Sequence, residues 1–136
     1  MDTKKKELIG NFRNQGQAWS REPEEVSQHD FRSEASALAV PYGLYEPVPN
    51  LGTIIIGLSA DTPEFPVDCL DTWIRQRGWA AYPRMKEILL LCDSGGSNGY
   101  RPRFWKYGLY QTIARGHGLT VRVCHYPPGA SKWNPV

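Results

Sequence analysis

Residues 88–99 read Ile-Leu-Leu-Leu-Cys-Asp-Ser-Gly-Gly-Ser-Asn-Gly. The first five are apolar throughout, which predicts a short buried strand. Asp93 follows directly, and the glycine-rich residues after it predict a loop that leads into a helix. A strand of a sheet holds a carboxylate more rigidly than a loop does. This stretch therefore predicts a sheet and a candidate functional acid at the end of one of its strands.

Four further segments are predicted to be strands. The first residues of the chain, Met1–Leu8, form one of them. Residues 38–45 form another, in which Pro41 requires a sheet edge or a bulge because it has no amide hydrogen. Residues 53–58 are apolar and β-branched, as in a buried strand, and residues 119–124 alternate as in a half-buried strand.

Two helices are predicted between these strands. The first begins at Thr62 and Pro63 and ends at Gly78, and the second runs from Asn98 or Gly99 to Gly116 or Gly118. Polar residues 11–36 are predicted to be a long connection. The order of elements predicts an α/β fold with a five-stranded mixed sheet, whose first three strands form an antiparallel meander. This order matches the ribonuclease-H-like architecture without its last helix.

The composition indicates one soluble globular domain over residues 1–136. A net charge of +2, from 16 basic and 14 acidic residues, argues neither for nor against nucleic acid. Cys69, Cys92 and Cys124 are predicted to be buried thiols rather than a disulfide framework. No apolar run approaches a membrane span and no signal peptide is recognised, so we expect a cytoplasmic protein.

Asp2 and Asp93 are the candidate metal ligands, because two carboxylates on adjacent strands suit Mg²⁺ or Mn²⁺. Each has a simpler explanation. An acid after a strand often forms a turn or caps a helix, and an acid beside the first residue often belongs to a disordered terminus. Asp61 precedes a predicted helix and is interpreted as a helix cap rather than as part of the site.

Several motifs in order carry a resemblance to a known family. The chain closely resembles the catalytic domain of the Rhodopirellula-type DDE transposases, which are distant relatives of the mariner-type enzymes. The motifs are Asp-Thr-Lys-Lys-Lys-Glu at 2–7, Ala-Val-Pro-Tyr-Gly at 39–43, Asp-Thr at 61–62, Asp-Ser-Gly-Gly-Ser-Asn-Gly at 93–99, Trp-Lys at 105–106 and His-Tyr-Pro-Pro-Gly-Ala-Ser-Lys-Trp-Asn-Pro at 125–135.

The resemblance implies a ribonuclease-H-like fold and a two-metal Mg²⁺ (or Mn²⁺) site for DNA cleavage and strand transfer. Asp2 and Asp93 would be the first two catalytic acids. The third, a glutamate, would come next after Val136, so we expect a core that is truncated at both ends and inactive or nearly so by itself. The expected partners are transposon-end and target DNA, with a homodimer as a further prediction.

Candidate DNA-binding residues surround the two acids in sequence. In a regular strand, Lys4 and Lys6 share the face of Asp2, and a solubilising role is the alternative. The second helix supplies Arg101, Arg103 and Lys106, whose alternative role is a solvated helix face. By resemblance, Lys132 and Trp133 shape the site and its DNA. Gly95–Gly99 forms either an anion-binding turn or a flexible one.

Two other functions compete with the transposase hypothesis. A ribonuclease-H-like module without catalysis would serve DNA binding or dimerisation. A metal-dependent phosphatase on a doubly wound sheet would need an acid two residues after Asp2, where this chain has Lys4. The three histidines are not at metal-ligand spacing and are interpreted as structural.

Overall fold

The computed structural model describes residues 1–13, 19–58, 60–127, 129–130 and 132. The described residues form a mixed α/β structure, as predicted, with the strands β1 (Asp2–Thr3), β2 (Glu7–Ile9), β3 (Ala37–Glu46), β4 (Leu51–Gly57), β5 (Glu87–Cys92) and β6 (Thr120–His125). The first long helix consists of α1 (Phe65–Trp73), a π-helical segment (Ile74–Gly78) and α2 (Trp79–Ala81). The second consists of α3 (Arg103–Gly108) and a π-helical segment (Leu109–Arg115).

The described strands form an antiparallel sheet and a separate parallel pair. In the antiparallel sheet, β3 lies between β4 on one side and β1 and β2 on the other. The parallel pair is β5 and β6, with Leu90 opposite Val123. The parallel pairing agrees with two strands that are joined through a helix, and the antiparallel pairing agrees with the predicted meander.

The prediction that Pro41 lies in an edge strand was wrong, because its strand, β3, is paired on both sides. The alternative, a bulge, is confirmed. Thr3 is opposite Tyr42 and Glu7 is opposite Ala39, which leaves the three residues 4–6 opposite only two residues of β3. Pro41 cannot donate a hydrogen bond to this side, and the ladder is interrupted beside it.

The strand β4 is not buried, contrary to the prediction. Ile54 and Ile56 are 65% and 60% exposed. Residues of this type fit a pleated sheet whether or not a second layer covers them, so their β-propensity does not predict burial. The other face of the antiparallel sheet packs on α1, where Tyr42 meets Phe65 edge to face with ring centroids 5.8 Å apart.

Both helix starts differ from the predictions. The first helix begins at Phe65, and the Thr62 carbonyl accepts a hydrogen bond from the Phe65 amide at 3.1 Å. This helix also continues past Gly78, the predicted end. The second begins at Arg103, because the N-cap residue Pro102 is extended and cannot continue a preceding turn. Its predicted end is correct, since Gly118 adopts a positive φ of 68°.

The core lies between the helices and one face of the strands. Its largest fully buried side chains include Trp105, Tyr42, Leu70, Ile74 and Ile113. Of the three cysteines, Cys69 and Cys92 are buried as predicted, whereas Cys124 is exposed. Cys124 alternates outward along β6, which is covered on one face only. None of the helices in the described part of the chain is long and apolar enough to cross a membrane.

Met1 connects the two groups of strands. Its amine donates a hydrogen bond to the Leu91 carbonyl of β5 at 2.7 Å, while the next residue, Asp2, pairs with Gly43 of β3. A groove of about 780 Å³ continues from Met1 between the last residues of β3 and strand β5. The first residues of the chain therefore lie between β3 and β5.

Glu46, at the end of β3, holds the sheet to the first helix, and Glu46→Gln is expected to destabilise the fold. Its carboxylate accepts hydrogen bonds from Arg77 at 2.7 Å, Tyr82 at 2.7 Å and Trp73 at 3.3 Å. We expect the substitution to lower the free energy of unfolding by about 1–2 kcal/mol, because it removes charge-assisted hydrogen bonds. Chemical denaturation at neutral pH measures this loss.

The pH dependence of stability provides a second measurement at Glu46. Burial alone would raise the pKa of Glu46, but the hydrogen bonds from Arg77, Tyr82 and Trp73 outweigh it and lower the pKa. The ionised form therefore stabilises the fold above the ordinary pKa of glutamate, and this contribution is lost as the pH falls through the lowered pKa. Glu46→Gln should remove that part of the acid destabilisation. Exposed Glu34 is the control, and an equal loss in Glu34→Gln would contradict the assignment.

Candidate metal site

Asp2 and Asp93 lie at the ends of neighbouring strands. Asp2 is half-buried on β1, and its Oδ1 accepts a hydrogen bond from the Thr3 amide at 2.8 Å. Asp93 is also half-buried and follows β5 directly. Burial raises the pKa of Asp2, and the negative charge of Asp93 raises it further. The two carboxylates are therefore close enough for the charge of Asp93 to act on Asp2. The shared cation site stays a prediction.

The strand β1 directs Asp2 away from the helices. Thr3 pairs with Tyr42, whose side chain faces α1, and the adjacent Asp2 pairs with Gly43 on the opposite side. Gly43 is in turn opposite Ile54, whose side chain is exposed. Asp2 therefore lies on the open face of the antiparallel sheet, where a ligand has access to it.

The loop after Asp93 is fixed to strands on both sides. Asn98, whose side chain is fully buried, donates a hydrogen bond to the Met1 carbonyl at 3.1 Å. His125 Nε2 lies 3.1 Å from the Asn98 carbonyl oxygen, and the Ser94 hydroxyl donates to the Tyr126 carbonyl. These contacts fix the position of Asp93 relative to β1. Sequence reasoning took Asn98 for a helix start and missed its anchoring role, since no local pattern reveals a contact with Met1.

The donors at this site fit a hard divalent cation in part. Two carboxylates are suitable ligands for Mg²⁺ or Mn²⁺, and their mutual repulsion is relieved by a cation. Within the described residues, no group of three or more His, Cys, Asp or Glu side chains could hold a metal ion. A cation held by Asp2 and Asp93 would therefore take its other ligands from water or phosphate oxygens.

The bulge in residues 4–6 separates the two lysines that were predicted to share the face of Asp2. Lys4 acts on Asp2, whose pKa its positive charge lowers slightly against the larger effects. Lys6 Nζ instead lies 3.4 Å from Asp61, which also accepts a hydrogen bond from Thr3 at 3.3 Å. The prediction that Lys6 lies with Asp2 was wrong, because the extra residue changes the alternation.

The sequence indicated that Asp61 caps the first helix, but in the structure it does not. The N-cap position is Glu64, and no side chain makes a capping hydrogen bond there. Asp61 contacts Thr3 and Lys6 instead, so it ties the loop before α1 to β1 and to the bulge before β2.

The other predicted DNA-binding residues lie after Asp93. Arg101 precedes α3, and Arg103 and Lys106 lie on it; all three side chains are exposed. Lys132 is also exposed. Trp133 lies outside the described residues, so its predicted role stays a prediction.

Basic and acidic residues are unevenly distributed along the sequence, which the net charge of the whole chain does not show. Residues 94–136 contain six of the sixteen Lys and Arg residues and none of the fourteen Asp and Glu residues. The last third of the chain is thus strongly basic, and Asp93 is the final acid. A basic segment directly after a candidate metal ligand is suited to a polyanion at the candidate site.

Comparison with known proteins identifies the family. The family described as the Rhodopirellula transposase DDE domain matches residues 1–136, the whole chain. No curated protein and no solved structure matches. The family match agrees with the motifs at 2–7 and 93–99, which carry the two half-buried acids of the site. The chain belongs to the Rhodopirellula transposase DDE domain family.

Proposed function

We propose that these 136 residues are a single catalytic-core unit of a DDE transposase that supplies two metal-binding carboxylates for DNA cleavage and strand transfer. The observation that carries the proposal is the pair formed by Asp2 and Asp93. Each is half-buried at the end of a strand, and the pKa of Asp2 is raised most by burial and further by the charge of Asp93. A protein gains no stability from two such like charges, so the arrangement favours a functional role.

Asp2 and Asp93 would hold Mg²⁺ or Mn²⁺ between β1 and β5. When bound, the cations would make a water or a 3′-hydroxyl nucleophilic and stabilise the leaving oxygen of the phosphodiester. The chain's own contribution is orientation. β1 and β5 fix the two carboxylates, and Asn98 holds the loop after Asp93 to the backbone of Met1.

DNA is the proposed substrate, and the exposed cations near the site would contact its phosphates. The candidates are the half-buried Lys4 and the exposed Arg101, Arg103, Lys106 and Lys132. Lys6 forms an ion pair with Asp61. Arg101, Arg103 and Lys106 follow Asp93 closely in sequence, and residues 94–136 contain no acid, which supports this role.

We also propose that the strands belong to one ribonuclease-H-like sheet in the order β4, β3, β1 with β2, β5, β6. The hydrogen bond from the Met1 amine to Leu91 supports a junction between β1 and β5. The open face of this sheet exposes Ile54, Ile56 and Leu89, an apolar surface that favours a homodimer.

The experiment that tests the function is a nicking assay on supercoiled plasmid with Mg²⁺, Mn²⁺ or Ca²⁺. Because Asp2 and Asp93 are the only carboxylates that we assign to the site among the described residues, we expect at most slow nicking, supported best by Mn²⁺ and abolished by EDTA. The Asp2→Asn and Asp93→Asn variants should have none.

Two results would contradict the proposal in different ways. Nicking that persists in the double variant would place the activity at another site. Rapid Mg²⁺-dependent cleavage by the wild type would contradict the expected weakness. DNA binding without any cation binding at Asp2 and Asp93 would instead favour the non-catalytic DNA-binding or dimerising module.

A further inference from the structure

The outer face of α3 carries aromatic side chains where a surface helix normally carries polar ones. Phe104 and Tyr107 are 51% and 58% exposed, and their rings meet edge to face with centroids 6.1 Å apart. Tyr110 continues this exposed surface. Meanwhile the opposite face of the helix is fully buried at Trp105, so the helix already has its apolar contact with the core. The exposed aromatic residues are therefore not needed to attach α3.

Cations alternate with these rings. We call the surface formed by Tyr100, Arg101, Arg103, Phe104, Lys106 and Tyr107 the aromatic ridge. At one end of it, the Arg101 guanidinium lies 5.4 Å from the centroid of the Tyr100 ring and donates a hydrogen bond to its hydroxyl. Residues 94–136 contain no acid, so no carboxylate from this stretch of the sequence neutralises the ridge. The ridge is thus complementary to a polyanion that has exposed flat groups.

The ridge also leads to the candidate metal site. A cavity of about 410 Å³ is lined by Tyr100 and Arg101 on one side and by Ser94 and Gly95, the residues directly after Asp93, on the other. A strand that followed the ridge would enter this cavity beside Asp93. No part of the metal site itself is included in the ridge.

We infer that the aromatic ridge binds single-stranded nucleic acid by stacking unpaired bases on Phe104, Tyr107 and Tyr100, while Arg103 and Lys106 contact phosphates. Duplex DNA presents its phosphates but hides the faces of its bases. Exposed aromatic rings therefore add affinity only for unpaired bases. The inference rests on the proposed function for the identity of the partner as DNA. It adds that the DNA beside Asp93 is unpaired.

The test compares a labelled single-stranded oligonucleotide with its duplex by fluorescence anisotropy, in EDTA so that no cation contributes. The double variant Phe104→Ala, Tyr107→Ala should weaken single-strand binding by about tenfold or more, the effect of losing base stacking. Duplex binding should change little. Phe31→Ala removes an exposed aromatic outside the ridge and should leave both unchanged. Thermal unfolding checks that the variants are folded.

A charge variant separates phosphate contacts from stacking. Arg103→Gln, Lys106→Gln should weaken single-strand and duplex binding alike and make the logarithm of affinity less dependent on salt, by about one unit of slope per cation. Arg32→Gln, at an exposed arginine outside the ridge, is the matched control.

Four results would overturn the inference. In the first two, the aromatic variant loses single-strand and duplex binding equally, or binds both like the wild type. A change in self-association alone, measured by sedimentation velocity, would indicate a protein interface. The fourth result is a wild type that binds no nucleic acid in EDTA. The proposed function fails separately, if Mn²⁺ binding does not depend on Asp2 and Asp93.

Discussion

Replacing Asp93 or Asp2 by asparagine is expected to abolish the binding of Mn²⁺ to this protein. Each substitution removes one of the two carboxylates assigned to the site in the described part of the chain and leaves a neutral amide, a weaker ligand for a hard cation. We expect an affinity loss of at least about tenfold in isothermal titration calorimetry. The rise in melting temperature that Mn²⁺ gives to the wild type should disappear as well, because a ligand stabilises only the state that binds it.

The stability of Asp2→Asn without metal distinguishes a functional role from a structural one. Asparagine retains the Oδ1 atom that accepts the hydrogen bond from the Thr3 amide. It removes a carboxyl group whose pKa is raised by burial and by the charge of Asp93. The charged form of this group is therefore unfavourable at neutral pH. In EDTA, we expect this variant to be at least as stable as the wild type.

The control is Asp30→Asn, which removes the same charge from an exposed position. It should bind Mn²⁺ like the wild type and have the same melting temperature. If Asp93→Asn and Asp30→Asn bound Mn²⁺ equally well, the metal assignment would be wrong. If Asp2→Asn were strongly destabilised in EDTA, Asp2 would be a structural residue.

The sequence predicts the parts of this fold that depend on local patterns. The apolar run at 88–92 is strand β5, and Asp93 follows it as expected. The alternation at 119–124 corresponds to β6, shifted by one residue. Both strands are set by residue type over a few positions. The pairing of Asp2 with Asp93 at one site was predicted from the family motifs and stays a prediction.

The parts that depend on pairing between distant residues were not predictable. The bulge opposite Pro41 forms in a strand, β3, that pairs with β2 on one side and with β4 on the other. The bulge in turn decides the face on which Lys6 lies. Likewise, the exposure of Ile54 depends on whether a second layer covers β4. Its β-branched side chain suits a covered strand and an uncovered strand equally well. The link from Asn98 to Met1 joins residues that are 97 positions apart in the sequence.

The loop between β5 and α3 offers the second large effect, through Gly99→Ala. A Cβ atom at Gly99 would lie 2.8 Å from the carbonyl oxygen of Ser94 and 3.0 Å from the backbone of Gly95. These are backbone atoms, so the clash cannot be relieved by rotating a side chain. Ser94 is adjacent to Asp93 and is held to Tyr126, so the loop must shift beside the metal site.

Two nearby glycines complete a graded comparison. A Cβ atom at Gly95 would meet nothing within 4 Å, and at Gly96 it would meet only a distant contact but would have to adopt a φ of 77°. Gly95→Ala should therefore be nearly neutral and Gly96→Ala intermediate, at about 1 kcal/mol for the left-handed backbone. Gly99→Ala should cost about 1–3 kcal/mol, as overpacking of a closed site does.

The order of these three variants should be the same for stability in chemical denaturation and for Mn²⁺ affinity in calorimetry. A shift of the loop moves Asp93 relative to Asp2 and disturbs the anchor from Asn98 to Met1, so affinity falls together with stability. If Gly99→Ala lost stability but bound Mn²⁺ like Gly95→Ala, the loop would be a structural turn that does not position Asp93. If stability and Mn²⁺ affinity fell together, the close backbone approach at Gly99 would be what holds Asp93 in position relative to Asp2.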